Sequence, residues 1–495
     1  MFIVIGFICG LILIFCWVDT RKPKDFPPGP SWIPLLGVIP LVKNLHSICG
    51  FYHLVWHYLT QRYGAIVGLR VGHDRIIIVA GKNEIKEFYA TDEFNGRPDG
   101  FFYRIRSFDK RLGVVFTDGK DWEIQRKFSL KVLRQLGGKN TMKDHIEREA
   151  NEIVHFLYTK AKTGKPINLQ HIFDVPVLNI LWALLAGHRF SLEDERLSML
   201  LKMIHDSFRV IDMSGGILNQ FPFVRYIAPN GSGYKPLVNT LSPLWAFLKE
   251  VVIETKNSLT DEEPKSLIQA FLHEIEKVAT KDSSFTEDQL LALCLDLFQA
   301  GTETTSNTLA FGVYWLLHNE RVVEKLKTEL DTVVGRRRLP NLNDRSTLPY
   351  TEAVICEIQR ISNVAPLGIV HRCMETVKFD NYVIPKGTLA LVSLYSLHMD
   401  ENYWKDPHTF RPERFLDEYG MFIHHEHFMP FGSGKRRCMG ENLAKSSLFL
   451  YLASFIHSFD MEIPAGNGLP DVTGLDGITL SPKPFEVLLK PRSTL

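Results

Sequence analysis

The sequence predicts a mainly α-helical protein with minor β sheets, an α+β chain lacking the regular strand–helix alternation of a doubly wound sheet. Three observations carry this expectation. Long stretches between residues 141 and 318 repeat their apolar residues at helical spacing. Runs rich in β-branched residues are short and lie towards the two ends of the chain. The composition is that of an ordinary globular protein: of 495 residues, 45% are hydrophobic and 23% charged. This excludes a disordered or collagen-like chain. The 57 Lys and Arg against 56 Asp and Glu leave a net charge of +1, without the basic excess of a dedicated nucleic-acid binder. Seven cysteines at scattered spacings form no paired framework, which fits a reducing compartment.

Residues 2–18 form an uncharged apolar run of 17, at the short end of what spans a bilayer. No basic residue precedes the run and no small-residue cleavage site follows it, so residues 1–18 read as an uncleaved membrane anchor. Arg21, Lys22 and Lys24 come after it, which places the following domain on the cytoplasmic side. Residues 19–34 are a basic, proline-rich hinge. Four prolines between residues 23 and 30 forbid helix there and predict a stiff, extended spacer. From 35 to 495 no comparable linker or repeat occurs, and this stretch reads as one large domain.

Within it, residues 66–71 and 75–80 flank Gly72-His73-Asp74 as a hairpin, and 383–389 reads as a second turn between strands. Helical spacing covers 141–160, 168–187, 242–258, 265–279 and 286–318. The last is the most informative. Thr286 with Gln289 matches a capping box, and Phe285 with Leu290 a hydrophobic staple. A helix of this length is roughly 50 Å long. Asp296 and Glu303 interrupt its apolar character and argue against a second membrane span. Its middle, Ala300-Gly301-Thr302-Glu303-Thr304-Thr305, is poor helix material. It reads as a notch, either for a crossing helix or for function. The acid–hydroxyl pair Glu303-Thr304 favours function, because buried carboxylates usually have a partner or a role.

The strongest signal is Phe431-Gly432-Ser433-Gly434-Lys435-Arg436-Arg437-Cys438-Met439-Gly440, followed by an apolar-faced helix. Cys438 therefore sits near a helix N-terminus, where the dipole, Arg436 and Arg437 favour a thiolate. Zinc would need three or four protein ligands, and a nucleophile would need a neighbouring base. An axial haem thiolate needs one cysteine, a close backbone and cations for the propionates, and the two loop glycines permit that approach.

On these residues the chain resembles the cytochrome P-450 superfamily of haem-thiolate monooxygenases, specifically its membrane-anchored microsomal type. The loop fits F-x-x-G-x-R-x-C-x-G at every fixed position. Glu357-Ile358-Gln359-Arg360 fits E-x-x-R, Pro412-Glu413-Arg414-Phe415 fits P-E-R-F, and Trp122 to Arg126 fits W-x-x-x-R. Residues 300–305 fit the oxygen-activating helix motif. Glu357 and Arg360 share a helix face and, with Arg414, read as a buried structural network. Trp122 and Arg126 present an indole N–H and a guanidinium on one face, both suited to carboxylates.

The resemblance implies haem b with Cys438 as axial iron ligand. Trp122, Arg126, Arg436 and His371 would hold the propionates, with Lys110 or Arg111 as a further cation. It implies that Glu303 and Thr304 relay protons in O₂ activation. No flavin or nicotinamide fingerprint is present, so electrons would come from NADPH through NADPH–cytochrome reductase, with cytochrome b5 as an optional second donor. Lys127, Lys131, Arg134, Lys435, Arg437 and Lys445 would form the docking face. The implied location is the endoplasmic reticulum membrane, with the catalytic domain facing the cytosol.

Phe101, Phe102, Phe108, Phe116, Phe298 and Leu367 suggest an apolar, elongated pocket. Asp19 to Lys24, Phe26 to Pro30 and Gly68 to Gly72 look most like insect enzymes near the juvenile-hormone epoxidases, which makes methyl farnesoate a candidate substrate. Hydroxylation of a fatty acid, steroid or xenobiotic is the alternative within the family. An O₂-independent isomerase or dehydratase, or a haem sensor, would be a different class, against which the intact Glu303-Thr304 pair speaks.

Overall fold

A computed structural model describes residues 2–138, 141–210, 216–260, 262–277, 283–471 and 473–492. Seven helices matter for the site: α1 (Phe2–Asp19), α2 (Gly119–Leu136), α3 (Asp174–Ala186), α4 (Glu195–Val210), α5 (Glu287–Leu317), α6 (Pro349–Ser362) and α7 (Glu441–Ser458). Nine short strands accompany them: β1 (Ile66–Val71), β2 (Asp74–Val79), β3 (Ile167–Asn168), β4 (His371–Arg372), β5 (Val377–Phe379), β6 (Tyr382–Ile384), β7 (Leu389–Val392), β8 (Phe459–Glu462) and β9 (Glu486–Pro491). The hairpin forms as expected, Ile66 lying opposite Val79. It extends into a four-stranded sheet ordered β1-β2-β7-β4, with β2 and β7 parallel. The turn at 383–389 does join two strands, but they belong to different sheets: β6 pairs with β5, and β7 with β2 and β4.

Helix boundaries depart from the apolar periodicity where tertiary contacts decide them. The helix expected over 168–187 begins at Asp174, because Ile167–Asn168 pairs as a strand with β9. The one expected over 242–258 starts earlier, at Tyr234, and carries Pro243 in its interior. Residues 278 and 279 of the helix expected over 265–279 lie outside the described residues.

The proline-rich segment 19–34 contains no helix beyond Asp19, yet it is not a free spacer. Phe26 and Trp32 are buried, and Pro28 accepts from the Gly68 amide at 2.7 Å. A Cβ on Gly29 would lie 2.2 Å from the Gly68 carbonyl oxygen, and one on Gly68 would meet the Phe26 ring. Glycine at both positions lets the segment lie flat on β1. Arg70 reaches back to Asp19 through a bidentate pair at 2.8 and 2.9 Å, so the base of α1 is clamped to the sheet. The rest of α1 is apolar and exposed, as a membrane anchor would be.

Helix α5 runs through the molecule. Its first half packs in one apolar cluster with α3, α4 and Tyr234–Asn257. Its last turns pack in a second cluster with α6 and α7. Between the two lies Gln299 to Thr308, where only Ala300 and Gly301 lack a polar side chain. Burial leaves those hydroxyls few partners, so they bond back along the helix: Thr302 to Phe298 O, Thr304 to Ala300 O, Ser306 to Thr302 O and Thr308 to Thr304 O. Gly301 is a packing notch: a Cβ there would lie 2.5 Å from Leu181 of α3. At the N-terminus Thr286 accepts from the Gln289 amide, but the reciprocal half of the capping box is absent. The Gln289 side chain instead clamps both backbone groups of Gly113.

Behind the site, Glu357 and Arg360 are fully buried and joined by two bonds at 2.7 and 2.8 Å, and Arg414 donates to Glu357 at 3.1 Å. The expected three-membered network is present.

Candidate active site

A cavity of about 530 Å³ separates the loop Phe431–Gly440 from the polar middle of α5. Cys438 lines it from the loop, and Ala300, Gly301, Thr304 and Thr305 line it from the helix. Trp122, Arg126, His371 and Arg436 line it as well. Of the residues expected to hold haem or move protons, Glu303, Lys110 and Arg111 do not.

The loop is shaped from the side by the helix Lys82–Ala90. Gly432 and Gly434 have φ of +65° and +68°, and a Cβ on Gly434 would lie 2.4 Å from the Tyr89 carbonyl oxygen. The glycines thus answer to Tyr89 as well as to whatever fills the cavity. Cys438 lies two residues before the N-cap of α7, Gly440. The Cys438 thiol is exposed on the cavity wall; desolvation by the surrounding protein, with Glu441, raises its pKa against a backbone bond at Gly440 and the charges of Arg126 and Arg437. Arg437 is committed to Glu441, and Arg436 turns away to stack on Trp122 at 3.6 Å. Desolvation thus opposes the helix dipole and the arginines at this thiol, and a bound metal ion would favour its thiolate form.

One end of the cavity carries more positive charge than the protein balances. Arg436 donates to Asn95 O and Thr117 O, both at 2.8 Å, and its pKa falls to about 8 through burial and the neighbouring Arg97, Arg126 and Arg111. Arg97, almost wholly buried, is lowered to about 10 by burial and bonds to Val115, Ile369 and Val370 carbonyls. Asp118 lies close, but Arg111 and Arg372 already hold it. His371 donates from Nδ1 to Phe94 O at 2.7 Å, so Nε2 is an acceptor in the neutral ring and becomes a donor to a bound carboxylate once that anion offsets the neighbouring arginines and the ring is protonated. Burial and the adjacent arginines hold its pKa well below the usual range. The buried Trp122 Nε1 has no partner among the described residues. Crowded cations and an unpartnered indole N–H form a site for an anion. With a single thiol on the same cavity, this donor set fits a haem: carboxylates at the arginine end, iron at Cys438.

Arg97 was not anticipated. The local sequence offers only Pro98, which biases Arg97 towards extended backbone and does not mark it as a site residue. Conversely, Lys110 pairs with Asp288 and Arg111 with Asp118, and neither lines the cavity. Of the six apolar residues expected in the pocket, Phe102 and Phe116 line it. Phe298 packs instead against Trp182 and Phe247, and Phe101 and Phe108 against Tyr234 and Trp245. Leu367 packs with the sheet core.

Glu303 points away from the cavity and is fully buried. Its carboxylate accepts from Arg209 at 2.5 Å and from Asn307 and Thr479 at 2.9 Å each, and it contacts His205 Nδ1. Burial alone would raise its pKa, but His205 and Arg209 bring it below the ordinary value. Thr304 faces the cavity, its hydroxyl donating to Ala300 O at 3.1 Å and leaving lone pairs for a ligand.

On the outside of this end, Lys127, Lys131 and Arg134 are exposed on α2, and no carboxylate among the described residues pairs with them. Lys435 pairs with Asp92, and Arg437 and Lys445 share Glu441.

The family model described as Cytochrome P450 matches residues 27–489. A farnesoate epoxidase of Bombyx mori is 41% identical over 485 residues, covering 97% of each chain. The probable cytochrome P450 305a1 of Drosophila melanogaster is 35% identical over 502 residues, covering 98% of this chain and 99% of its own. Cytochrome P450 2J5 of Mus musculus is 32% identical over 476 residues, covering 96% and 93%.

Proposed function

We propose, from the premise that this chain belongs to the cytochrome P450 family, that it is a haem-dependent monooxygenase whose substrate is methyl farnesoate. The family and its haem-thiolate chemistry carry the enzyme class. The substrate reading is carried by 41% identity to a farnesoate epoxidase across nearly the whole of both chains. A large cavity with an apolar side at Phe102, Phe116, Leu181 and Leu237 supports it.

The reaction adds one oxygen atom to a carbon–carbon double bond: substrate, O₂, two electrons and two protons give epoxide and water. Haem, when bound with Cys438 as its thiolate ligand, would supply the O₂-activating chemistry. The chain's own residues do the rest. Cys438 would give up its thiol proton and ligate the iron. Arg97, Trp122, Arg126, Arg436 and a protonated His371 would hold the cofactor carboxylates and so relieve the unbalanced charge at that end. Thr304 releases its back-bond to Ala300 and holds a proton in the cavity. Glu303 supplies Thr304's side of the cavity with protons through its buried partners. Electrons come from NADPH through a reductase that docks on Lys127, Lys131 and Arg134, the cations of that face left without carboxylates. Cytochrome b5 docks on the same face as a second donor.

Helix α1 anchors the chain in the endoplasmic reticulum membrane, and Arg21, Lys22 and Lys24 keep the domain cytosolic. Phe223, Tyr226 and Ile227, 57%, 76% and 77% exposed, add a second apolar contact with the bilayer. Turnover of a lipophilic panel by the full chain with reductase in lipid vesicles tests the substrate reading. Methyl farnesoate epoxide should form with a kcat/KM at least about tenfold above that for fatty-acid or steroid hydroxylation, a difference of roughly 1.4 kcal/mol in transition-state binding. Preferential hydroxylation of another class with no epoxide formed would overturn it.

A further inference from the structure

We propose that His171, Asp174 and His205 form a proton-supply line that feeds Glu303 from the surface and opens into the cavity at the hydroxyl of Thr479. The line rests on the reading of Glu303 as a proton source. It adds how Glu303 is reloaded and where its proton emerges.

The links are contiguous. His171 Nδ1 lies 3.2 Å from Asp174 Oδ2, and that oxygen lies 2.7 Å from His205 Nε2. His205 Nδ1 contacts Glu303 Oε2. On the other side, Thr479 donates its hydroxyl to Glu303 Oε1 at 2.9 Å, and Thr479 lines the cavity that Thr304 faces. His171 is the outer end, with 41% of its side chain exposed, against 5%, 8% and 0% for Asp174, His205 and Glu303. Acid and imidazole alternate from solvent to cavity. No single helix builds this: His171 comes from the turn before α3, Asp174 from the first residue of α3, His205 from α4, Glu303 from α5 and Thr479 from the C-terminal segment.

Charge explains why an imidazole stands at the centre. Asp174 and Glu303 bring two negative charges, and Arg209, bonded to Glu303 and Thr479, brings one positive. One more proton makes the cluster neutral. Burial works against a charged His205 ring, but Asp174 and Glu303 outweigh it and lift its pKa to about 10. A lysine would satisfy the charge but not the second function. Imidazole takes a proton at one nitrogen and releases one from the other. In delivery His205 passes its Nδ1 proton to the Glu303 carboxylate; the Thr479 hydroxyl, which at rest donates to Oε1, turns to hand its own proton into the cavity and takes the Glu303 carboxyl proton in exchange. A neutral ring is left between two carboxylates, a state that recaptures a proton through Asp174 and His171. Each turnover consumes two protons, so the line must reload twice. His205 and Asp174 touch neither substrate nor cofactor and are positioning residues.

The test uses the full chain, haem-loaded, with reductase in vesicles, comparing His205→Gln, His171→Ala and Glu303→Gln. Product per NADPH oxidised, hydrogen peroxide and the solvent deuterium isotope effect on product formation are read. His205→Gln keeps hydrogen bonds to the carboxylates but cannot relay. It should lower product per NADPH at least about threefold, raise peroxide and enlarge the isotope effect, while the reduced carbon-monoxide spectrum stays normal. His171→Ala should do the same to a lesser extent. A purely structural role would lower stability without moving the isotope effect, and that result overturns the proposal. Wild-type coupling in both histidine variants with an uncoupled Glu303→Gln also overturns it, while leaving Glu303 as the proton source. Wild-type coupling in all three removes both readings. Should His205→Gln fail to hold haem, the exposed His171→Ala decides by the same criteria.

Discussion

Replacing Arg360 with alanine should cost the folded enzyme a large share of its stability, although Arg360 does not line the cavity. Arg360 has no exposed surface and ties three segments together. It donates twice to Glu357 on its own helix, and at 2.8 Å each to the carbonyls of His398 and Pro407. Removing one partner of a buried ion pair costs about 3–5 kcal/mol. Each of the two carbonyls then left buried without a donor adds about 1–3 kcal/mol. These contributions overlap, because Arg414 and the Arg411 amide still hold Glu357. A net loss of at least about 4 kcal/mol is therefore expected, against a total domain stability of about 5–15 kcal/mol. That corresponds to roughly a thousandfold shift towards the unfolded chain. Arg360→Lys keeps the charge but not the two-pronged geometry and should lose about 2 kcal/mol. Because a chain of this size unfolds irreversibly, the assay is the fraction recovered haem-loaded after expression, with the half-life of the reduced carbon-monoxide band in urea. The order wild type, Arg360→Lys, Arg360→Ala is expected in both. Equal recovery and half-life for Arg360→Ala would refute the reasoning that this network holds the haem-side core.

Thr304→Ala should keep a normal haem spectrum yet divert electrons to peroxide, lowering product per NADPH. Unchanged coupling would reduce Thr304 to a helix-packing residue worth about 1 kcal/mol. Arg436→Ala should weaken haem retention at least about tenfold, read as the rate of haem transfer to an apoglobin acceptor, since it removes a charged donor from the anion site. A wild-type transfer rate would show that Arg436 serves only to brace the loop. Deleting residues 1–25 should leave haem binding intact and weaken, but not abolish, sedimentation with vesicles, Phe223, Tyr226 and Ile227 supplying the remainder. Complete loss of binding would remove those three residues from the membrane contact.

What could be read beforehand was whatever local sequence decides. The hairpin at Ile66–Val79 and the bounds of α5 follow from alternation, turn chemistry and a cap, and all three are local. The cysteine loop, Trp122, Arg126, His371 and Arg436 could be picked out beforehand through the family motifs they resemble, and they line one cavity in the fold. The direction of a helix residue was not legible. Periodicity places Glu303 and Thr304 next to each other, yet successive helix residues are about 100° apart, so Thr304 faces the cavity while Glu303 faces His205 and Arg209. Partners distant in sequence were invisible for the same reason. Gln289 spends its side chain on Gly113 rather than on its own N-cap, and Arg97 enters the cavity from a loop without helical pattern. The proline-rich segment was expected as a spacer because proline fixes its own backbone. That it lies on β1 depends on two glycines, Gly29 and Gly68, nearly forty residues apart.

The central claim is that Cys438 is the axial ligand of a haem held against α5. The most direct measurement is the reduced carbon-monoxide difference spectrum of the full chain and of Cys438→Ala, each prepared with haem supplied. The wild-type chain should show the long-wavelength Soret band of thiolate-ligated haem, and Cys438→Ala should lack it entirely, even where some haem is retained by Arg97, Arg126 and Arg436. The same long-wavelength band in Cys438→Ala would contradict the assignment and every role built on it.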